Sequence, residues 1–137
     1  MPILLRGLDL NDSDLRTNIL ETLLQVATEA TGSPTALVEH AGSLVRASLS
    51  NSQPSDGTTP VRRTLHPHLH MSKPESFFFS LLFTQRVQIC ALRLLAALPA
   101  TLRYDVLHPY KAQVLRQLGF VLDDRERAVR KEAVDCR

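Results

Sequence analysis

Apolar side chains recur every three or four residues along much of the chain, the spacing that places them on one face of an α-helix. The first such stretch predicts a helix from about Leu15 to Ala30, followed by a glycine, Gly32, that suits a helix end. Its expected apolar stripe is Leu15, Ile19, Leu23, Val26, Ala27 and Ala30. Its capping oxygens are expected from Asn11, Asp12, Ser13 and Asp14.

A second helix is expected to follow at once, because Ser33 can cap it and Pro34 suits its first position. Its stripe is Leu37, Ala41, Leu44, Val45 and Leu49. The same spacing then predicts a helix that starts at Arg86 and stops at Pro99, since proline interrupts helical hydrogen bonding. Its stripe is Val87, Cys90, Ala91, Leu94, Leu95 and Leu98.

The last part of the chain predicts two more helices, beginning near Pro109 and near Arg127 and separated by a turn at Asp123 and Asp124. The first has a face made of Tyr110, Val114, Leu115, Leu118 and Leu122, and the second carries Val129, Ala133 and Val134. We expect Leu115, Leu118, Val129 and Ala133 to pack together across this pair.

Three of these segments align with one another, which indicates a repeat. They read Asp14-Leu15-Arg16, Arg86-Val87-Gln88 and Ala128-Val129-Arg130, and each opens the second helix of a pair. Val87 and Val129 are 42 residues apart, within the range of roughly 40–47 typical of HEAT repeats. Aspartates in the turn can cap the second helix, and its arginine can reach an aspartate of a neighbouring repeat. We therefore predict an all-α, HEAT/armadillo-like α-α solenoid fragment of two to three repeats.

The segment from Gly57 to Gln85 interrupts this pattern. Leu15 and Val87 are 72 residues apart, an excess of about 29 over one repeat. We divide the chain into a HEAT segment at 1–56, an insertion at 57–85 that is predicted to be disordered, and HEAT repeats at 86–137. The apolar run from Phe77 to Phe83 fits codons rich in pyrimidines, so the insertion is interpreted as a translated intron or as a natural long loop. Genomic sequence near codons 57 and 85 distinguishes the two.

Charge and motifs narrow the functional classes. The net charge of +2 disfavours direct nucleic-acid binding, and no apolar run approaches the roughly 18 residues of a membrane helix. There is no Gly-rich phosphate loop and no Gly-x-Ser-x-Gly elbow, so an enzyme is not expected. Cys90 and Cys136 are expected to be free thiols, and two cysteines cannot supply the four thiolates that an iron–sulfur cluster usually takes. No cofactor is expected.

Two groups of residues are candidate sites. Arg127, Arg130 and Lys131 form a basic cluster that can dock an acidic protein partner, although interleaved acidic residues make a solvated helix with i to i+4 pairs the simpler interpretation. His66, His68 and His70 alternate in an extended stretch, but no second group of ligands accompanies them, so a metal site is not expected.

The carboxyl-terminal part resembles a known family in three runs. These are Val106-Leu107-His108-Pro109-Tyr110-Lys111-Ala112-Gln113-Val114-Leu115, then Leu122-Asp123-Asp124-Arg125, then Val129-Arg130-Lys131-Glu132-Ala133-Val134. They are similar to the extreme carboxyl terminus of the MMS-nineteen nucleotide excision repair protein family, the HEAT-repeat targeting subunit of cytosolic iron–sulfur assembly. The insertion at 57–85 has no counterpart in that family.

This resemblance implies a scaffold that hands iron–sulfur clusters to apoproteins of DNA repair, replication and transcription. The implied partners are other assembly subunits and client helicases and polymerases, in cytoplasm and nucleus, with no membrane and no direct nucleic acid. Exposed repeat ends also predict self-association. The alternative is another HEAT protein-binding scaffold, of the nuclear-transport or phosphatase type.

Overall fold

A computed structural model of the chain describes residues 2–10, 12–29, 35–53 and 74–136. Within these ranges the chain is helical and contains no strand. The elements are α1 (Pro2–Gly7), α2 (Ser13–Glu29), α3 (Thr35–Ser52), α4 (Pro74–Thr101), α5 (Tyr104–Leu107), a 3₁₀ turn (His108–Tyr110), α6 (Lys111–Val121) and α7 (Arg127–Cys136).

These helices stack in two layers. In one layer, α4 lies between α2 and α7; in the other, α3 contacts α1 on one side and α5 and α6 on the other. The pairs α1–α2, α3–α4 and α6–α7 therefore follow one another along the stack, and α2, α4 and α7 are the second helices that the repeat predicted. This confirms the expected all-α solenoid fragment.

The core is formed by leucine, valine and alanine from both layers. The stripes expected on α3 and α4 are buried throughout, because both helices have neighbours on two sides. On α2 the buried stripe is centred on Leu20, Leu23 and Ala27, so Leu15 and Val26 are exposed, contrary to expectation. Among the described helices, α2 has a neighbour in its own layer on one side only, namely α4.

Helix α4 is longer than expected at both ends. It begins at Pro74 and not at Arg86, so residues 74–85 of the proposed insertion form its first turns; residues 57–73 lie outside the described residues. It also continues past Pro99 to Thr101. A hydrogen bond from Leu102 N to Leu98 O, 2.8 Å long, and one from Thr101 Oγ1 to Ala27 O, 2.9 Å long, hold this end.

Aspartates cap the second helices as the repeat predicted. Asp12 Oδ1 accepts hydrogen bonds from Asp14 N and Leu15 N, both 3.0 Å long, at the start of α2. Asp124 Oδ1 accepts one from Glu126 N, 2.9 Å long, just before α7. These carboxylates satisfy backbone donors that have no partner within the helix. The residues expected to end α2 and to start α3 lie outside the described residues; they are Ala30, Gly32, Ser33 and Pro34.

The last pair differs from expectation in three respects. Pro109 lies in the 3₁₀ turn and α6 starts at Lys111. Leu118, Val129 and Ala133 are buried as expected, whereas Leu115 is 44% exposed and Val134 is also exposed. Leu115 lies on the side of α6 that α7 does not cover.

Replacing Leu118 by Ala should lower the free energy of unfolding by about 2–4 kcal/mol, because its side chain is 2% exposed and its loss leaves a cavity. Leu115→Ala is the matched control on the same helix and should change it by less than about 0.5 kcal/mol. Urea unfolding followed by circular dichroism measures both. Equal effects of the two substitutions would contradict the packing described here.

Gly42 in α3 allows the close approach of Tyr110. A Cβ added at Gly42 would lie 2.9 Å from Tyr110 Cζ, whereas a Cβ at Gly119 in α6 would meet nothing within 4 Å. Both glycines are helical, so alanine removes the same conformational penalty at each position.

We expect Gly119→Ala to stabilise the chain by about 0.5–1 kcal/mol and Gly42→Ala to destabilise it by about 1 kcal/mol or more, because Tyr110 must move away. Adding Tyr110→Phe to Gly42→Ala should recover part of the loss, since it removes the crowded hydroxyl. Thermal melts of the four proteins measure this, and a Gly42→Ala variant as stable as Gly119→Ala would be inconsistent with the contact.

Candidate protein-docking surface

The basic residues proposed for docking lie on α7 but have different environments. Arg127 is exposed at the start of the helix, and Lys131 is exposed and lies 3.8 Å from the carboxylate of Asp135, one turn on. Arg130 is partly buried, and its Nη1 donates hydrogen bonds to Asp124 O at 2.6 Å and Arg125 O at 2.8 Å. Arg130 therefore holds the turn between α6 and α7. Arg127 and Lys131 remain candidates for docking.

Polar contacts between neighbouring repeats converge on Gln88 in α4. Its Nε2 donates hydrogen bonds to Ser52 O, 3.4 Å away at the end of α3, and to Asp124 Oδ2, 3.3 Å away before α7. The repeat predicted that an arginine would reach an aspartate of the neighbouring repeat. A glutamine makes this contact instead, at the register position that Arg130 occupies in α7.

Further along α4, a charged contact links this helix to α7. Arg93 of α4 donates hydrogen bonds from Nε and Nη2 to Glu132 Oε1 of α7, at 3.1 and 2.8 Å. The bond and the charge of Glu132 raise the pKa of Arg93. Since the side chain of Glu132 is only 16% exposed, this pair is less screened than a fully solvated one.

An apolar groove, which we call the terminal groove, lies where α4, α5 and α6 meet. Its volume is about 260 Å³, and its walls come from α3, α4, α5, the 3₁₀ turn, α6 and Cys136 of α7. The side chains that define it are Leu98, Leu102, Leu107, Val114, Leu115 and Cys136. Among the described residues, Cys136 is the only part of α7 that lines it.

The rim of the terminal groove is polar and basic. The ring centroids of Tyr104 and His108 are 5.2 Å apart, and Lys111 Nζ lies 5.9 Å from the Tyr104 centroid, a cation–π distance. Among the described residues, no aspartate or glutamate lines the groove. Lys111 therefore gives the rim a positive charge beside an apolar floor.

Both cysteines are free thiols, as expected. Burial raises the pKa of Cys136, at one end of the groove, to about 11. Burial first, and then the neighbouring carboxylate of Glu21, raise the pKa of Cys90, whose Sγ lies 3.8 Å from Glu21 Oε1. Both thiols are therefore protonated near neutral pH, and a thiolate is the form that binds metals.

Metal ligands do not cluster in the part of the chain that the structure describes: no group of three or more His, Cys, Asp or Glu side chains there could hold an ion. His66, His68 and His70 lie outside the described residues. The described helices also include none that is long and apolar enough to cross a membrane.

Sequence patterns did not reveal the terminal groove. Leu115 was assigned to the core because its spacing fits the apolar face of α6, and residues 102–107 were assigned to no element. The available signal was the density of apolar residues in that stretch, with Leu102, Val106 and Leu107 around Tyr104. The groove is formed where six elements meet, which periodicity within one helix cannot show.

The stacked pairs define the chain as an α-helical repeat protein of HEAT type. Residues 1–99 match the family model for the carboxyl-terminal region of an RNAPII transcription regulator. The chain belongs to the MMS19 family. It is 37% identical over 118 residues to the MMS19 nucleotide excision repair protein homolog of Mus musculus, covering 86% of this chain, and 38% over 120 residues to that of Homo sapiens, also covering 86%.

A further relative has the same name in Bos taurus and is 32% identical over 158 aligned residues, covering 100% of this chain. The chain spans 11% to 14% of the length of these three relatives. It therefore corresponds to a small part of a much longer family member.

The contact between Arg93 and Glu132 should be measurable as a coupling between α4 and α7. A double-mutant cycle with Arg93→Ala and Glu132→Ala should give a coupling energy of about 0.5–1 kcal/mol that falls as salt is raised. The cycle for the exposed pair Lys131 and Asp135 is the control and should give no more than about 0.5 kcal/mol. A larger coupling energy for Lys131 and Asp135 than for Arg93 and Glu132 would contradict the expectation that the less exposed pair is the stronger one.

Proposed function

We propose that this chain is a docking segment of a scaffold for the maturation of iron–sulfur proteins. In this role it binds other subunits of the cytosolic iron–sulfur assembly machinery, which deliver preassembled clusters to apoproteins. It acts by binding and performs no catalysis of its own. The clusters are cargo of the assembly and are not held by this chain.

Membership of the MMS19 family is the observation that carries this proposal. The name of these relatives refers to nucleotide excision repair, and the family model describes a regulator of RNA polymerase II transcription. We propose that this chain serves the same processes, through client proteins such as helicases and polymerases, in cytoplasm and nucleus.

The structure supports docking as the mode of action. A solenoid presents an extended surface built from successive pairs, and such surfaces commonly bind proteins. The terminal groove adds an apolar depression with a basic rim to that surface. A net charge of +2 gives little attraction for phosphate backbones, so we propose that association with DNA-processing clients proceeds through protein contacts.

Pull-down of purified assembly subunits by the tagged full chain tests this function. We expect specific recovery of at least one subunit, at a level that an unrelated HEAT fragment of similar length does not reach. Recovery of nuclear-transport factors or phosphatase catalytic subunits in place of assembly subunits would favour the alternative scaffold class. Binding to duplex DNA that weakens steeply with salt would contradict the protein-docking mode.

A further inference from the structure

We propose that an open polar depression between α1 and α3, which we call the α1–α3 depression, binds a partner segment rich in aspartate and glutamate. This inference rests on the proposed docking function and names the chemistry of one partner. Two observations carry it: cations from two helices line the same depression, and neither cation is paired with a carboxylate of the chain.

The α1–α3 depression is built from one face of each of two neighbouring elements. Positions 2, 5, 6 and 9 line it from α1 and the turn that follows, and positions 40, 43, 46, 47 and 50 line it from α3, both at helical spacing. Its volume is about 470 Å³, and it shares no lining residue with the terminal groove. Its polar side chains are Arg6, Asp9, His40, Ser43, Arg46 and Ser50.

The charge of the depression is positive and is not neutralised within the described part of the chain. Arg6 and Arg46 are both exposed, and neither guanidinium has an ion-pair or hydrogen-bond partner among the described residues. Four other basic side chains do form ion pairs, as Arg86 does with Glu21 at 3.9 Å. Two arginines therefore remain available for a carboxylate from another molecule.

One acidic residue also lines the depression. Asp9 forms an ion pair with neither arginine, and among the described residues it is the only carboxylate that lines the depression. Two guanidinium groups thus outnumber one carboxylate. Because Asp9 repels an acidic ligand, its removal should tighten binding there.

The donors of the depression suit several carboxylates. A guanidinium presents parallel N–H donors that match the two oxygens of a carboxylate, and the hydroxyls of Ser43 and Ser50 can donate as well. The volume has room for two or three acidic side chains, since roughly 150 Å³ already accepts benzene. Since Arg6 and Arg46 stand on different helices, carboxylates spread along a segment suit them better than one concentrated phosphate group.

Fluorescence anisotropy with three labelled peptides of equal length tests the proposal on the full chain. Serine alternates with Glu in the first peptide and with Gln in the second; the third is the second with one central serine phosphorylated. We expect the Glu peptide to bind at least about tenfold more tightly than the Gln peptide, and more tightly than the phosphorylated one.

Charge reversal locates the binding site. Arg6→Glu and Arg46→Glu should each weaken binding of the Glu peptide at least about tenfold. Arg116→Glu makes the same change at an exposed position of α6 outside the depression and should alter affinity less than about twofold, because distant charges are screened. All three side chains are exposed, so the variants should fold, and circular dichroism checks this.

A gain of affinity provides a second, independent measurement. Asp9→Asn should tighten binding of the Glu peptide at least about threefold, because it removes the carboxylate that lines the depression. Glu39→Gln removes the same charge at an exposed position of α3 outside the depression and should leave affinity unchanged. Damage to the fold does not explain a gain of affinity, so this pair does not depend on how the arginine variants fold.

Several results would overturn the proposal. These are equal affinity for the Glu and Gln peptides, equal effects of Arg46→Glu and Arg116→Glu, or equal effects of Asp9→Asn and Glu39→Gln. Tighter binding of the phosphorylated peptide than of the Glu peptide would assign the depression to phosphorylated segments instead.

The outcome for the proposed function is separate. A chain that captures assembly subunits but does not bind the Glu peptide would remove this proposal and leave the proposed function standing. A chain that binds the Glu peptide at the depression but captures no assembly subunit would contradict the proposed function and leave the binding site in place.

Discussion

The burial of α4 between α2 and α7 is the contact on which the rest of the structure depends. Each helix pair exposes an apolar face that it cannot cover alone, so burial comes from the neighbouring pair. Helix α4 is the only described helix of its layer with a neighbour on both sides, and it contributes Ala91, Leu92, Leu94 and Leu98 to the fully buried core. Helix α2, at the end of the layer, keeps Leu15 and Val26 exposed.

The fold was largely predictable because a repeat fixes both period and pairing. The alignment of Leu15, Val87 and Val129 identified three helices that occupy one layer, and aspartates at positions 12 and 124 cap as their spacing implied. The start of α4 was missed because the stretch before Arg86 is apolar without a clear period, which periodicity alone cannot assign to helix. Pro99 failed as a stop because only one hydrogen bond is lost in the last turn of a helix.

The candidate site was less predictable, since it depends on which residues different helices bring together. The sequence suggests that Arg130 is a cation on the surface, yet its guanidinium donates hydrogen bonds to two backbone carbonyls of the preceding turn. Gln88 is aligned with Arg16 and Arg130 in the repeat and lacks their charge, yet its side chain bonds both to the end of α3 and to the turn before α7. Leu115 and Leu118 are leucines about one turn apart on α6, yet Leu115 is 44% exposed and Leu118 is 2% exposed, a difference set by the packing of other elements against α6.

The linear order of the stack has a consequence for local opening. No residue of α1 or α5 is buried, and only partly buried side chains, Leu4, Leu5, Val106 and Leu107, pack from them against the core, so detaching either helix exposes less of the core than opening α4. Opening α4 instead separates the pairs on both sides of it. Amide hydrogen exchange should therefore be graded along the chain, fastest in α1 and α5 and slowest in the middle of α4, where it approaches the limit set by global unfolding. The terminal groove then has a floor in α4, which opens last, and a wall in α5, which opens early.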